Sequence, residues 1–185
     1  IWSQTKPKVD FTTANASIKF DIAEHMVIGD VTYQFTVNEA TDSIKIDAKN
    51  MMIQGMKLNG QTPKYHYDKK QISLTQGFKE GENTITISYK TNPKQALYYV
   101  GSGTDLQIWT QGQGKYTSHW LPSFDDYNEK VIFNTKISFE SGYDVISNGK
   151  LDKKTVNGKQ TTWIYKMTKP MSSYLVMLAI GKFDK

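Results

Sequence analysis

Apolar and polar residues alternate along much of this chain with a period of two. In Thr84-Ile-Thr-Ile-Ser-Tyr-Lys90 every second residue is apolar, and Asp30-Val-Thr-Tyr-Gln-Phe-Thr-Val37 and Ser43-Ile-Lys-Ile-Asp47 repeat the pattern. Side chains of a strand point alternately to its two faces, so this pattern predicts strands with one buried face. Ser17–Ile22, Gln71–Leu74, Val131–Phe139 and Thr161–Met167 are further strand candidates. Tyr174–Ile180 is apolar throughout, which predicts a strand covered on both faces. Asn59-Gly60, Glu80-Gly81, Asn148-Gly149 and Asn157-Gly158 punctuate these runs with residues that tolerate positive φ, and Asn157-Gly158 is expected to close a hairpin. No segment carries a helical period over three turns. The expected class is therefore all-β, with about a dozen short strands and no long helix. Near Asn92-Pro93 a regular meander gives way to a less regular, more aromatic pattern.

The 185 residues suit a single domain spanning 1–185, large enough to bury roughly 70% of its unfolded surface. The longest apolar run is far short of the ~20 residues of a membrane helix, so no transmembrane segment is expected. The chain opens Ile-Trp-Ser-Gln, without Met or a recognisable leader, as a trimmed or processed chain does, and carries no address for a compartment. All 23 basic residues are lysines, the formal net charge is +5, and the lysines read as spread over a solvated surface. Without arginine, bidentate contacts to bases and phosphates are lost, so no nucleic-acid partner is expected.

Candidate chemistry is sparse. Cysteine is absent, which removes thiolate nucleophiles and thiolate metal sites. The three histidines, His25, His66 and His119, lie far apart with no H-E-x-x-H spacing, so no metal site is expected within the chain. There is no G-x-S-x-G elbow and no phosphate loop; Gly101-Ser102-Gly103 reads as a turn. Asp125 and Asp126 are adjacent, so in an extended segment they face opposite ways, one as an inward cap and the other toward solvent. No catalytic residue is expected here.

The most specific stretch is Trp109-Thr-Gln-Gly-Gln-Gly-Lys-Tyr-Thr-Ser-His-Trp-Leu-Pro-Ser-Phe-Asp-Asp126. Residues 84–185 resemble the N-terminal domain of the aminopeptidase N and leukotriene hydrolase family of zinc metallopeptidases. Ile87 to Tyr99 is similar to the strand and loop that lead into the family's glutamine motif. Gln111-Gly112-Gln113 is similar to its Q-x-Q/E element, and Leu121-Pro-Ser-Phe-Asp125 to its F-P-S-F-D string. Lys130 and Phe133 match its K-x-x-F, and Lys169 to Asp184 matches the strand that closes the domain. The earlier residues, Val9-Asp-Phe-Thr-Thr-Ala-Asn-Ala-Ser-Ile-Lys-Phe-Asp-Ile22 especially, fit its opening meander in character. Two positions depart from the pattern: Ser118 stands where the family often has Arg, and Tyr127 where it has Pro.

The resemblance implies a saddle-shaped β-structure packed on a catalytic domain of the same polypeptide and forming one wall of its cleft. It implies zinc in the full-length enzyme, held by ligands outside this chain, and peptide substrates gripped by their N-terminus. It assigns Gln113 to the substrate α-amino group and Gln111 to the adjacent wall. Gly112 is then expected to let the backbone pass close to the partner domain, and the surface from Gln111 to Trp120 to be apolar. The alternative is a freestanding β-sandwich that binds carbohydrate or protein through an aromatic platform of Trp109, Tyr116 and Trp120.

Overall fold

The computed structural model describes residues 7–183, so the Ile-Trp-Ser-Gln opening and the last two residues lie outside the described residues. It is all-β, with three single-turn 3-10 segments as its helical content among the described residues. In chain order the strands are β1 (Val9–Asp21), β2 (Met26–Val37), β3 (Ile44–Asp47), β4 (Met52–Leu58), β5 (His66–Tyr67), β6 (Gln71–Leu74), β7 (Gly81–Thr91) and β8 (Leu97–Val100). They continue as β9 (Gln107–Thr110), β10 (Lys130–Glu140), β11 (Asp144–Ser147), β12 (Lys150–Asn157), β13 (Gln160–Lys166), β14 (Met171–Ser172) and β15 (Leu178–Gly181).

Three sheets result. The largest runs β12-β13-β10-β1-β2-β7-β4, with β14 paired to β10; a second runs β11-β15-β9-β8 and a third β3-β6-β5. β1 and β10 pair in parallel, Thr13 beside Ile132 through Ile18 beside Ile137, which joins the first half of the chain to the second. The change of pattern at Asn92-Pro93 falls where the chain leaves β7 of the large sheet for β8 of the second, and the large sheet takes strands from both sides of it.

One face of the large sheet packs on the two small sheets. The inward residues of β1, β2 and β7, among them Ile18, Val31 and Ile87, share one buried cluster with Ile108 and Ile180 of the second sheet and Ile46 and Ile72 of the third. Burying these branched side chains is the main force holding the layers together. Phe11 stacks on Phe35 at 4.8 Å and tilts against Phe124 at 4.4 Å, tying β1 to the Leu121–Asp125 string. The Tyr33 hydroxyl donates to the Pro122 carbonyl from full burial, which pushes its phenol pKa up.

The expected strand at Tyr174–Ile180 needs correction. Ser173–Leu175 forms a 3-10 turn, in which the Val176 N–H donates to the Ser173 carbonyl at 2.9 Å, and the strand begins only at Leu178. The run is not covered on both faces, because Val176, Leu178 and Ile180 turn inward while Leu175 is 48% exposed. Uniform apolarity arises here from an inward face plus an outward apolar one.

Glu129, half-buried just before β10, accepts a hydrogen bond from the Phe11 N–H at 3.2 Å. Burial raises its carboxyl pKa to about 7, against the Phe11 N–H, which lowers it, and with Asp10 and Asp126 adding to the rise. A carboxyl whose folded pKa lies above its unfolded value of 4.5 costs stability as pH climbs from that value through about 7. Glu129→Gln keeps an acceptor for Phe11 and removes the charge. It is expected to raise stability at pH 8 by about 1–2 kcal/mol, allowing for solvent screening, and to be neutral near pH 4. Urea unfolding at the two pH values checks this; a variant less stable than the parent at pH 8 contradicts it.

Candidate functional site

The glutamine loop leaves the end of β9 and is fixed from behind on both sides of Gln113-Gly114, at Thr110 to Gly112 and from Lys115 on. The Thr110 hydroxyl accepts the Leu178 N–H at 2.9 Å, which locks β9 to β15. The Gln111 N–H donates to the Ala96 carbonyl at 2.8 Å and so adds one rung beyond the β8–β9 ladder. Gly112 is buried, and a Cβ on it would lie 2.5 Å from the Tyr174 carbonyl oxygen and 2.6 Å from the Thr117 hydroxyl. Only glycine fits there. The close approach within this chain is thus to its own 173–175 turn. The Thr117 hydroxyl in turn donates to the Ser173 carbonyl at 2.9 Å.

Thr117–His119 then makes a 3-10 turn that buries Thr117 and Ser118. The end of β3 braces it. The Lys49 N–H donates to the Ser118 carbonyl at 2.7 Å, and the Lys49 ammonium reaches both the Lys115 carbonyl at 3.2 Å and the Asp125 carboxylate at 2.7 Å. The Ser118 hydroxyl donates to Asp125 at 3.0 Å, and the Asp125 N–H donates to Asp47 at 2.8 Å. The positive charge beside Asp125 thus comes from Lys49. Asp126 faces outward and caps the turn at Asn128, whose N–H donates to it at 2.9 Å, as the opposite facing of the two aspartates predicts. Tyr127, in place of proline, is exposed beneath the Lys115 ammonium at 4.7 Å.

Gln111 and Gln113 are both exposed on this braced loop, and neither side-chain amide makes a hydrogen bond among the described residues. They do not satisfy the turn's backbone; they present free acceptors and donors. The expectation of an apolar surface from Gln111 to Trp120 does not hold, because Gln111, Gln113, Lys115 and Tyr116 face solvent and Trp120 is fully buried. The burial of Trp120 also takes one ring from the aromatic platform, leaving Trp109 and Tyr116 exposed.

The exposed apolar surface is next door, on the outward face of the second sheet, where sequence inspection did not place it. Register aligns Ile146 with Ala179, Ala179 with Trp109, and Trp109 with Tyr98, so one row crosses all four strands. Ile146 is 48% and Trp109 37% exposed, and the Tyr98 and Trp109 rings lie 4.8 Å apart. Leu175 is exposed close by, its carbonyl held at 3.0 Å by Asn148, the residue that follows β11. Strand alternation along the sequence predicts which residues face out, but only the register across β11, β15, β9 and β8 shows that they line up.

Among the described residues no three carboxylates or imidazoles are placed to hold a metal ion. His25 stacks on Tyr99 at 4.7 Å, and His66 lies exposed on β5. His119 packs against Tyr116, and burial first, then the Lys49 charge, lowers its pKa against the pull of Asp125. The residues here do not fit zinc.

A sheet layered in this way, with a braced polar loop beside an apolar face, belongs to a known class. Residues 12–175 match the family profile described as the Peptidase M1 N-terminal domain, and the chain belongs to that family. It is 26% identical over 146 residues to the probable aminopeptidase 1 of Sulfurisphaera tokodaii, covering 78% of this chain and 18% of that protein. It is 24% identical over 188 residues to leucine aminopeptidase 2 of Yarrowia lipolytica, covering 94% of this chain and 28% of that one. The chain thus spans less than a third of these relatives. Among solved structures, the M1 zinc metallopeptidase from Deinococcus radiodurans superposes with a TM-score of 0.83 at 14% identity, over 94% of this chain and 42% of that one. Native yeast LTA4 hydrolase superposes with a TM-score of 0.82 at 17% identity, over 96% and 29%.

Proposed function

We propose that this chain is the non-catalytic N-terminal part of a zinc aminopeptidase, a hydrolase that removes N-terminal residues from peptides. In the full-length protein its outward apolar row, Ile146-Ala179-Trp109-Tyr98, packs on the catalytic domain, and the Gln111–Gln113 loop at the edge of that row forms one wall of the cleft. Zinc is held by residues outside this chain, since the described residues do not fit the ion. The observation that carries this reading is the pair of free amides on a loop braced by its own chain. A buried α-ammonium needs acceptors in fixed positions, and a glutamine carbonyl supplies one without a full charge. The match to the M1 family profile and the aminopeptidase relatives support the reaction class.

The test uses the intact protein and an aminoacyl anilide with a free amine. Turnover is expected, is expected to vanish with a chelator and to return with zinc, and an N-acetylated anilide is expected to resist cleavage. Equal cleavage of the acetylated anilide removes the α-amino group from recognition and overturns the reading.

A further inference from the structure

The second face of the large sheet points away from both small sheets, and most residues that alternate outward along its strands are polar, with Ile28, Ile132 and Ile164 apolar. Register shows how they line up. One row runs Lys153-Ile164-Lys136-Ser17-Asp30-Ser88 across β12, β13, β10, β1, β2 and β7. Beside it Lys150 stands opposite Lys166, and Asn134 beside Asn15, with the Asn134 amide donating to Asn15 at 3.0 Å. A hollow of about 230 Å³ opens in this face, lined by Asn15, Ser17, Asn134, Lys136, Ile164 and Lys166.

Four lysines, Lys136, Lys150, Lys153 and Lys166, stand on this face, while Lys154 turns to the other one, over the Trp163 ring and 3.7 Å from Asp144. Residues 150–169 hold six lysines against one acid, Asp152, a net +5 that equals the formal charge of the whole chain. The lysines that read as evenly spread therefore leave the remaining residues neutral and this end of the sheet strongly positive. Part of the pattern protects a free edge: β12 is exposed throughout and its register shifts between Leu151 and Lys153, as edge strands that resist pairing do. Edge protection does not account for Lys136, which lies on β10, two strands inside the edge. Nor does it account for Lys150 directly opposite Lys166, a like-charge pair that disfavours the fold, only partly relieved by Asp152 at 2.9 Å from Lys166.

We propose that this face binds an acidic polysaccharide. The lysines meet its carboxylates or sulfates, the Asn15, Asn134 and Ser17 side chains hydrogen-bond its hydroxyls, and Ile164 offers an apolar floor for a sugar ring. Nucleic acid fits less well, because the chain has no arginine and the rows present no aromatic ring on which a base stacks. A bilayer fits less well too. Leu151 and Val156, the exposed apolar residues of β12, stand opposite Tyr165 and Thr161 and so point to the other face.

The experiment titrates fluorescent heparin with the full-length protein at low salt, with neutral dextran, duplex DNA and phosphatidylserine vesicles as comparison ligands. One variant carries K136Q, K150Q, K153Q and K166Q; a control of equal charge carries K64Q, K69Q, K70Q and K79Q, all exposed lysines away from the face. Heparin affinity is expected to fall about tenfold or more in the first and to stay within about twofold in the second, with no dextran binding. DNA and vesicles are expected to bind at least about tenfold more weakly than heparin. Should the four-site variant not fold, Lys136→Gln alone is expected to weaken heparin binding while Lys64→Gln does not. Absence of heparin binding, equal losses in the two variants, or DNA or vesicles bound as tightly as heparin overturns the proposal.

Discussion

Gln113→Ala in the intact enzyme is expected to lower kcat/KM on a dipeptide substrate by about 10- to 150-fold, the equivalent of losing a hydrogen bond to a charged group worth roughly 1.5–3 kcal/mol. This follows from the proposed role of the exposed Gln113 carbonyl as an acceptor for the substrate α-ammonium. The unfolding midpoint is expected to stay put, because the Gln113 side chain is exposed and bonds to nothing in its own chain among the described residues. Gln113→Glu is expected to keep or improve efficiency, since a carboxylate accepts from an ammonium more strongly than an amide does. Gln111→Ala is expected to cost less, as the residue lines the wall beside the amine. Steady-state rates for the three variants on one dipeptide decide the matter. A Gln113→Ala enzyme as active as the parent leaves this glutamine a loop residue and removes the assignment at its most specific point.

The same contrast between a free side chain and a braced backbone explains what the sequence shows and what it hides. Strands with one buried and one wet face are legible because burial imposes alternation: β2 and β7 alternate as expected over nearly their whole length. The Asn59-Gly60 turn is legible because both residues take positive φ, 51° and 83°, between Leu58 and Gln61, as a two-residue hairpin turn demands. The Asn157-Gly158 hairpin forms too, though its two loop residues are Gly158 and Lys159, with Asn157 paired to Gln160. β1 begins at Val9, well before the expected Ser17. Its inward residues there are Phe11, Ala14 and Ala16, small for the most part, and its register shifts between Phe11 and Thr13. A bulge slips the period-two signal by one residue and hides the strand.

At the site, the glutamines were legible only through resemblance to a motif, since an exposed amide carries no periodic signature. The brace behind them was not legible at all. Lys49 lies 76 residues from the Asp125 it pairs with, and nothing in a local pattern ties the two together. Gly112 shows the same limit in reverse. Its requirement for glycine is readable as a need for close approach, but the partner is the Tyr174 carbonyl, which only the packing of the 173–175 turn brings near. Long-range pairs of this kind are fixed by the parallel and crossing connections of the sheets rather than by spacing along the chain.

Trp120→Ala is expected to destabilise the protein by about 3–5 kcal/mol, the usual range for removing a fully buried large ring. Trp120 has no exposed surface, whereas Trp109 is 37% exposed and lies tilted against Tyr98, so Trp109→Ala is expected to cost at most about 1.5 kcal/mol. Buried area decides this difference, not residue type. The indole N–H of Trp120 is buried without a partner among the described residues, an arrangement that itself opposes folding. Trp120→Phe keeps an aromatic ring and removes that donor, so it is expected to fall much nearer the parent than the alanine variant. The loss at Trp120 also reaches the loop: the Trp120 and Leu121 N–H groups both donate to the Thr117 carbonyl at 3.0 Å, and Thr117 is what Gly112 packs against. Loosening that stack is expected to lower kcat/KM even under conditions where Trp120→Ala remains folded, with the loss appearing alongside the drop in midpoint, whereas Gln113→Ala lowers kcat/KM alone. Urea unfolding of the three tryptophan variants, followed by rates below their midpoints, checks both parts. A Trp120→Ala protein as stable as the parent, with Trp109→Ala strongly destabilised, reverses the assignment of core and surface ring and restores the aromatic platform as the working face of the domain.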